Sequence, residues 1–281
     1  MTRSLIIFSI LFFIFTSCTK KETVNVINPE PDEVGMKFYQ EGISALEEGD
    51  FFYASKIFSD AETNFLNIEM AAKSAILSSY SFYRINFYVE SHENLKRFIR
   101  TYPASKYIPY AHYLITIISF EQILDEKKDL KPTRDSKKLI IEYLNKFPDT
   151  EYSIDLKFKL DLVNNQLAAK EMYVARYYMK TQKWIPAINR LKKVVDEYQE
   201  TVFIEEALHR LVEVYYRLGL VKESEEAAKY LGYNYNSSEW YKKSYVILNK
   251  NYKLKDFDKS KKKKDDGLIK KVIKNILGKN D

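Results

Sequence analysis

The feature that most limits the fold of this chain is a long stretch without glycine. The chain has 281 residues and seven glycines, and none of these lies between Gly49 and Gly219. Hairpin turns, phosphate-binding loops and nucleophile elbows need glycine where the backbone turns sharply or approaches a ligand. The stretch therefore favours helices joined by tight corners, and it excludes a GxGxxG, Walker-type or GxSxG motif within its bounds.

One repeated pattern marks the places where helices are expected to end. An aromatic residue, often followed by proline, precedes a second apolar or aromatic residue by five positions. Proline ends one helix, and the short loop after it begins the next. The copies are Tyr102-Pro103…Tyr107, Phe147-Pro148…Tyr152, Tyr198-Gln199…Phe203 and a degenerate Phe65-Leu66…Met70.

A second pattern lies inside the repeats. A bulky residue is followed three positions later by a small one, and four positions beyond that by another apolar residue. Small residues at this spacing let two helices approach closely, as in tetratricopeptide (TPR) helix pairs. The copies are Phe51…Ala54…Phe58, Trp184…Ala187…Leu191 and a weaker Tyr88…Ser91…Leu95.

These patterns predict an all-α fold, a TPR-like helical repeat solenoid of about five helix pairs. An enlarged loop is expected over Asp125–Lys131. The predicted helices lie near 33–48, 51–64, 68–84, 87–101, 106–124, 133–146, 151–181, 184–197, 202–218, 221–231 and 238–249.

The N-terminus reads as a secretory signal. The stretch Leu5–Phe15 is apolar except for Ser9 and follows Arg3, and it covers only about half of a ~30 Å hydrocarbon core. Cys18, the only cysteine, resembles the acylated residue of a bacterial lipobox, which implies cleavage before it and several acyl chains such as palmitate on it. An ordinary signal peptide with an incidental cysteine is the alternative. The predicted organisation is a signal peptide over 1–17, a lipid-anchored tether over 18–31 and a repeat domain over 32–252.

The basic charge of the chain is confined to its end. Residues 253–281 contain eleven lysines and five aspartates, which accounts for the whole net charge of +6. The body therefore carries no net positive charge, and nucleic acid is not an expected partner. Within this Lys-rich extension, the apolar residues of Leu268–Leu277 share one face of a short predicted amphipathic helix. Contact with anionic lipid or a partner, and folding back on the body, both remain open.

Catalytic and ligand-binding patterns are weak. The three histidines, His92, His112 and His209, are scattered, and Ser260-x-x-Lys263 lies in a run of lysines where such a match is expected by chance. We therefore expect no enzyme, no metal site and no cofactor. One peptide-binding site is suggested instead, because Tyr80, Tyr83, Arg84 and Phe87 are spaced to offer aromatic slots and one cation to an extended peptide. Burial of these tyrosines in the repeat core is the alternative.

Several blocks of the chain together form a specific pattern. They are Phe98–Tyr107, Ala111–Tyr113, Phe147–Tyr152, Leu167–Glu171, Val174–Tyr178, Trp184–Arg190 and Glu206–Leu208 with Tyr215. These blocks resemble the BamD (YfiO, ComL) family of lipoproteins of the β-barrel assembly machinery, and the most specific part lies within residues 167–190. The resemblance covers nearly all of 32–231, and it departs at Gln199, at Lys183 and in the C-terminal extension.

The resemblance implies a non-enzymatic scaffold, lipid-anchored in the outer membrane and facing the periplasm. Its implied partners are the POTRA region of BamA, other Bam lipoproteins and unfolded outer-membrane β-barrel proteins, which the N-terminal repeats would receive. Asn189 and Arg190 match the family motif and are expected to contact BamA, with Arg210 and Glu213 on the following helix. Two rivals remain at this point. One is another TPR lipoprotein adaptor, peptidoglycan-linked or serving a protease, and the other is an enzyme with a site built across the groove.

Overall fold

A computed structural model describes residues 31–125, 128–236 and 238–249. In this part of the chain the structure contains eleven α-helices and no strand, which confirms the predicted all-α class. The helices are α1 (Pro31–Glu48), α2 (Phe51–Asn64), α3 (Ile68–Arg84), α4 (Tyr88–Thr101), α5 (Ile108–Glu121), α6 (Lys131–Lys146), α7 (Glu151–Lys180), α8 (Trp184–Glu197), α9 (Ile204–Arg217), α10 (Val221–Asn234) and α11 (Glu239–Leu248). Cys18, the predicted signal peptide, most of the predicted tether and residues 253–281 lie outside the described residues.

The predicted helix bounds are largely confirmed, and two of them are wrong by several residues. The ranges 51–64, 68–84 and 184–197 coincide with α2, α3 and α8. The range 106–124 is too long at both ends, since α5 starts at Ile108 with Pro109 in its first turn and ends at Glu121. Helix α10 continues through Gly232 to Asn234, past the predicted end at 231. Residues 122–130 connect α5 to α6, so the connection begins earlier than the predicted loop, and Lys131 already belongs to α6. Residues 126 and 127 of the predicted loop lie outside the described residues.

The helices fall into two compact units. The first contains α1–α4 and ends at Ser105, and the second begins at Lys106 and contains α5–α11. Inside each unit a helix packs mainly on its neighbours in sequence, and in the second unit α11 also packs on α9. Packing between successive helices is the expected arrangement of a helical repeat, and it agrees with the predicted fold class.

The small residues of the second pattern lie where helices meet. Ala54, Ser91 and Ala187 are fully buried, together with the bulky residue that follows each of them by four positions. The hydroxyl of Ser91 donates to the carbonyl of Ser79 at 2.8 Å, which joins α4 to α3. Ser224, which the pattern search did not identify, donates in the same way to Val212 and joins α10 to α9. The close approach predicted from small residues is therefore confirmed.

The aromatic residues of the first pattern end helices, as predicted. Each is the C-cap of its helix, and its backbone N–H donates to the carbonyl four residues earlier, so an otherwise unsatisfied carbonyl is paired. A copy that the sequence reading missed occurs at the end of α10. The capping residues are Phe65, Tyr102, Phe147, Tyr198 and Tyr235.

Candidate functional site

The first candidate surface lies at the C-terminal end of α3, in the first unit. The rings of Tyr80 and Tyr83 are 6.4 Å apart between centroids. A guanidinium N–H of Arg84 donates to the Tyr80 hydroxyl at 2.8 Å, and the same group lies 4.3 Å from the centroid of the Phe51 ring. Three of the four residues predicted for peptide binding therefore form one cluster, and Phe51 completes it.

Phe87, the fourth predicted residue, contacts a neighbouring group of rings. It stacks on Phe82 at 6.4 Å and meets Phe52 edge-on at 6.1 Å. The ammonium group of Lys56 lies 5.5 Å from the centroid of the Phe52 ring and 5.4 Å from that of Phe82. Phe52 is 51% exposed and Phe87 42% exposed, so both present apolar surface to solvent.

Local backbone geometry brings these rings together. Helix α3 ends in a tight turn in which Asn86 adopts a φ of 60°, a left-handed value that asparagine tolerates better than most residues. Asp50 caps α2 by accepting a hydrogen bond from the backbone N–H of Tyr53, which starts α2 at Phe51. We call these residues the aromatic surface. Its members are Phe51, Phe52, Lys56, Tyr80, Phe82, Tyr83, Arg84 and Phe87.

The aromatic surface has the chemistry to bind an extended peptide that carries aromatic side chains. Exposed ring faces and edges accept further rings and apolar side chains. Arg84 is exposed and always charged, so it can pair with a carboxylate while it remains stacked on Phe51.

The second candidate surface is built on two carboxylates in the second unit, the buried Glu171 and the half-buried Glu206. Glu171 of α7 is 5% exposed and accepts hydrogen bonds from Arg190 and Lys193 of α8, each at 2.9 Å. Burial alone would raise the pKa of the Glu171 carboxyl, but the bonds from Lys193 and Arg190 lower this pKa below its ordinary value. The pairing ties the long helix α7 to α8.

Glu206 makes the corresponding connection between α7 and α9. It accepts two hydrogen bonds from Arg176 at 3.1 and 2.5 Å and one from Arg210 at 3.4 Å. Arg210 also donates to Glu213 at 2.7 Å. Burial works against ionisation of Glu206, yet the bond from Arg176 and the nearby positive charges lower its pKa.

Helix α11 contacts this group through Trp240, which lies against Arg210 and His209 of α9. The Arg210 guanidinium lies 5.6 Å from the centroid of the Trp240 ring. His209 is buried, contacts Trp240 at 5.2 Å between ring centroids, and shares a 2.8 Å hydrogen bond with the Ser244 hydroxyl. We call Glu171, Arg176, Arg190, Lys193, Glu206, Arg210 and Glu213 the ion-pair network.

Three of the four residues predicted for BamA contact belong to this network. Arg190, Arg210 and Glu213 pair within the chain, and Arg190 keeps 43% of its side chain exposed. Asn189 is exposed beside Arg190 on α8. Sequence reasoning missed the roles of Glu171 and Glu206, although both stand in blocks that carry the family resemblance. Local spacing could indicate only the pairing of Glu206 with Arg210, four residues away on the same helix. The partners on other helices, Arg190 for Glu171 and Arg176 for Glu206, lie 19 and 30 residues away.

Two further observations concern the described residues only. No group of three or more histidine, cysteine, aspartate or glutamate side chains among them is arranged to hold a metal ion. No described helix combines the length and the apolar composition that crossing a bilayer requires.

Comparison with known proteins identifies the family to which these helices belong. Residues 31–231 match the model of the YfiO family, described as outer membrane lipoprotein. The chain belongs to this family. The family prediction made from the sequence blocks is thus confirmed, and the match spans both compact units.

Individual relatives agree with the family model. The chain is 36% identical over 232 residues to a protein of Caulobacter vibrioides, covering 83% of this chain and 75% of the relative. It is 36% identical over 234 residues to one of Rickettsia prowazekii, covering 83% and 91%. A protein of Neisseria meningitidis serogroup A is 27% identical over 212 residues, covering 72% and 79%. All three relatives are called outer membrane protein assembly factor BamD.

Proposed function

We propose that this chain is an assembly factor for outer-membrane proteins and acts as a non-enzymatic scaffold within the β-barrel assembly machinery. The observation that carries the proposal is the family match over residues 31–231, joined to relatives that bear that name and are 36% identical over most of the chain. A helical repeat suits this role, because stacked helix pairs offer extended surfaces to protein partners.

The second unit is proposed to hold the POTRA region of BamA beside the other Bam lipoproteins. Asn189 and Arg190 lie at the solvent edge of the ion-pair network, and the buried carboxylate of Glu171 fixes the position of the Arg190 guanidinium. A preorganised arginine loses less conformational freedom on binding than a mobile one, and arginine is enriched among residues that dominate interface energies. Arg210 and Glu213 would support this edge from α9.

The first unit is proposed to receive unfolded outer-membrane β-barrel proteins. The aromatic surface offers exposed rings for aromatic side chains, and Arg84 offers a cation for the C-terminal carboxylate of such a chain. Binding at a peptide terminus would let one short segment be recognised in many different sequences.

The membrane anchor is proposed to be acylated Cys18, which places the protein on the inner face of the outer membrane, towards the periplasm. Replacing Cys18 with alanine should move the protein from the membrane fraction to the soluble fraction. Its thermal unfolding should not change. Retention of the variant in the membrane fraction would contradict the anchor.

Depletion of the protein followed by quantification of the outer-membrane proteome tests the function itself. Many β-barrel proteins should decrease together, while lipoproteins of the same membrane should be less affected, because they do not need barrel insertion. An unchanged barrel population would contradict the proposal, and it would favour an adaptor role on peptidoglycan or for a protease.

A further inference from the structure

An apolar cleft in the second unit lies between α10 and α11. It has a volume of about 600 Å³. Helix α11 lines it with residues one turn apart, Tyr241, Tyr245 and Leu248, and α10 contributes Ala228 and Gly232. The rest of the lining is Glu225, Lys229, Tyr233 and Asn249.

The cleft lies on the last two described helices, at a position where a repeat array normally has a polar face, and yet the cleft is apolar. Tyr233 is 89% exposed, and Tyr245 and Val246 are 42% and 37% exposed. Terminal repeats usually carry a polar outer face, because no further repeat covers them. The two helices also meet closely at one point, since a Cβ on Gly232 would come within 2.7 Å of the Tyr241 ring. This face therefore has the composition of a surface that another segment covers.

The chain itself supplies a segment that fits. Asn249, the last described residue, lines the cleft, so the rest of the chain leaves from the cleft itself. Leu268–Leu277 follows, with Leu268, Val272, Ile273 and Ile276 at helical spacing and lysines at the positions between. Ten residues of helix are about 15 Å long, which matches the ten residues of α11 along which the cleft runs.

We propose that the segment 268–277 forms an amphipathic helix that docks its apolar face into the cleft between α10 and α11 and so caps the repeat array. Residues 250–267 connect the end of α11 to this segment. A random coil of that length spans roughly 20–25 Å, which is enough to reach any part of the cleft. A tether of this length gives an effective concentration in the millimolar range, so a weak apolar contact suffices. The docked segment leaves Lys270, Lys271 and Lys274 in solvent.

Helix α7 of the same unit carries another exposed apolar surface, which can be compared with the cleft as a docking site for the segment 268–277. Ile154, Phe158 and Leu162 of α7 are 75%, 61% and 44% exposed and follow each other at intervals of four residues. All three residues belong to one helix, and none of them lines the cleft between α10 and α11. This surface therefore serves as the control acceptor.

Disulfide crosslinking in the full-length, membrane-anchored protein tests the docking. Ala228→Cys combined with Ile273→Cys should give a monomer with an internal disulfide, detected as a reducible shift on a gel. Ala228→Cys with Lys271→Cys, on the opposite side of the helix, should give several-fold less. Phe158→Cys with Ile273→Cys should also give several-fold less. Single-cysteine variants control for any thiol at Cys18.

Hydrogen exchange provides the second measurement. Ile273→Asp in the full chain should speed amide exchange in residues 239–248 several-fold, whereas Lys271→Asp should leave it unchanged. Equal crosslinking in all three pairs, dimers in place of internal disulfides, or exchange unaffected by Ile273→Asp would each overturn the proposal. So would a segment that binds phosphatidylglycerol vesicles through Ile273 while α11 exchanges at an unchanged rate. None of these readouts depends on the assembly function proposed above.

Discussion

Arg190 of α8 donates a hydrogen bond to the buried carboxylate of Glu171 on α7, with 2.9 Å between Nη1 and Oε2. The two residues differ sharply in exposure, since 43% of the Arg190 side chain is accessible and only 7% of that of Glu171. Glu171 can therefore act on a partner only through the cations that it holds, Arg190 and Lys193. This asymmetry makes it possible to separate a contribution to folding from a contribution to binding.

Arg190→Gln and Glu171→Gln should have different effects on the proposed BamA contact. Both changes break the charged hydrogen bond between Arg190 and Glu171, and Glu171→Gln also weakens the bond from Lys193. Each should lower the free energy of unfolding by about 1–3 kcal/mol, with the larger loss for Glu171→Gln. Only Arg190→Gln removes a group that a partner can reach, so it should reduce BamA co-purification several-fold more than Glu171→Gln does. Equal losses in the two variants would show that Arg190 acts only through the fold.

Glu62→Gln should destabilise the first unit. Glu62 is 8% exposed and accepts two hydrogen bonds from Arg97 at 2.6 Å and one from the Tyr102 hydroxyl at 2.9 Å. Loss of its charge should cost about 1–3 kcal/mol, measured by urea unfolding. The control is Glu93→Gln, which removes an exposed pair with Lys96 and should leave the free energy of unfolding nearly unchanged. Similar costs for the two variants would contradict the assigned role of Glu62.

Stability should fall as the pH is lowered from about 7.5 to about 5, through the ordinary histidine pKa of about 6.5. Burial lowers the pKa of His209 in the folded state, with Glu213 raising it and Arg210 and Lys243 lowering it further. The unfolded chain therefore takes up a proton at a pH where the folded chain does not, and protons favour unfolding.

The contribution of His209 can be isolated by comparing slopes. His209→Gln should flatten the dependence of unfolding free energy on pH more than His92→Gln, because His209 is 4% exposed and His92 33%. Burial also lowers the pKa of His92, so a smaller effect in the same direction is expected there. A larger flattening in the His92 variant would contradict this ranking.

Arg84→Gln should weaken binding of a peptide that ends in phenylalanine with a free carboxylate, measured by fluorescence anisotropy with the full-length protein. The same peptide with an amidated C-terminus should bind the parent protein more weakly and should be insensitive to the substitution. Arg100→Gln, on an exposed site of α4, is the matched control and should bind the free acid normally. Equal loss for both peptides would show that Arg84 contributes packing on Phe51 and no charge recognition.

Much of the helical pattern could be predicted because its causes are local. Asp50 and Asn67 cap helices by accepting bonds from backbone N–H groups two or three residues away. Gly49 and Gly219 adopt φ values of 83° and 76° immediately after helix ends, where glycine is favoured. The end of α10 was mispredicted because an aromatic C-cap at Tyr235 followed a helical glycine, which is a weaker signal than proline.

The candidate surfaces were only partly predictable. The spacing of Tyr80, Tyr83 and Arg84 along one helix correctly indicated a cluster, since residues three or four apart share a helix face. The contribution of Phe51 depends on how α2 packs against α3. The separation of Phe51 and Arg84 in the sequence does not indicate that the two side chains are in contact.

By itself, the sequence determined the helices, their capping residues, the small residues at close contacts and the family, because each depends on neighbouring residues or on matching blocks. The tertiary structure decided which charged groups meet. Arg97 reaches Glu62 across 35 positions and Arg176 reaches Glu206 across 30. Such pairs depend on the register and rotation of one helix against another, and these are set by side-chain packing over whole helix faces rather than by any local period.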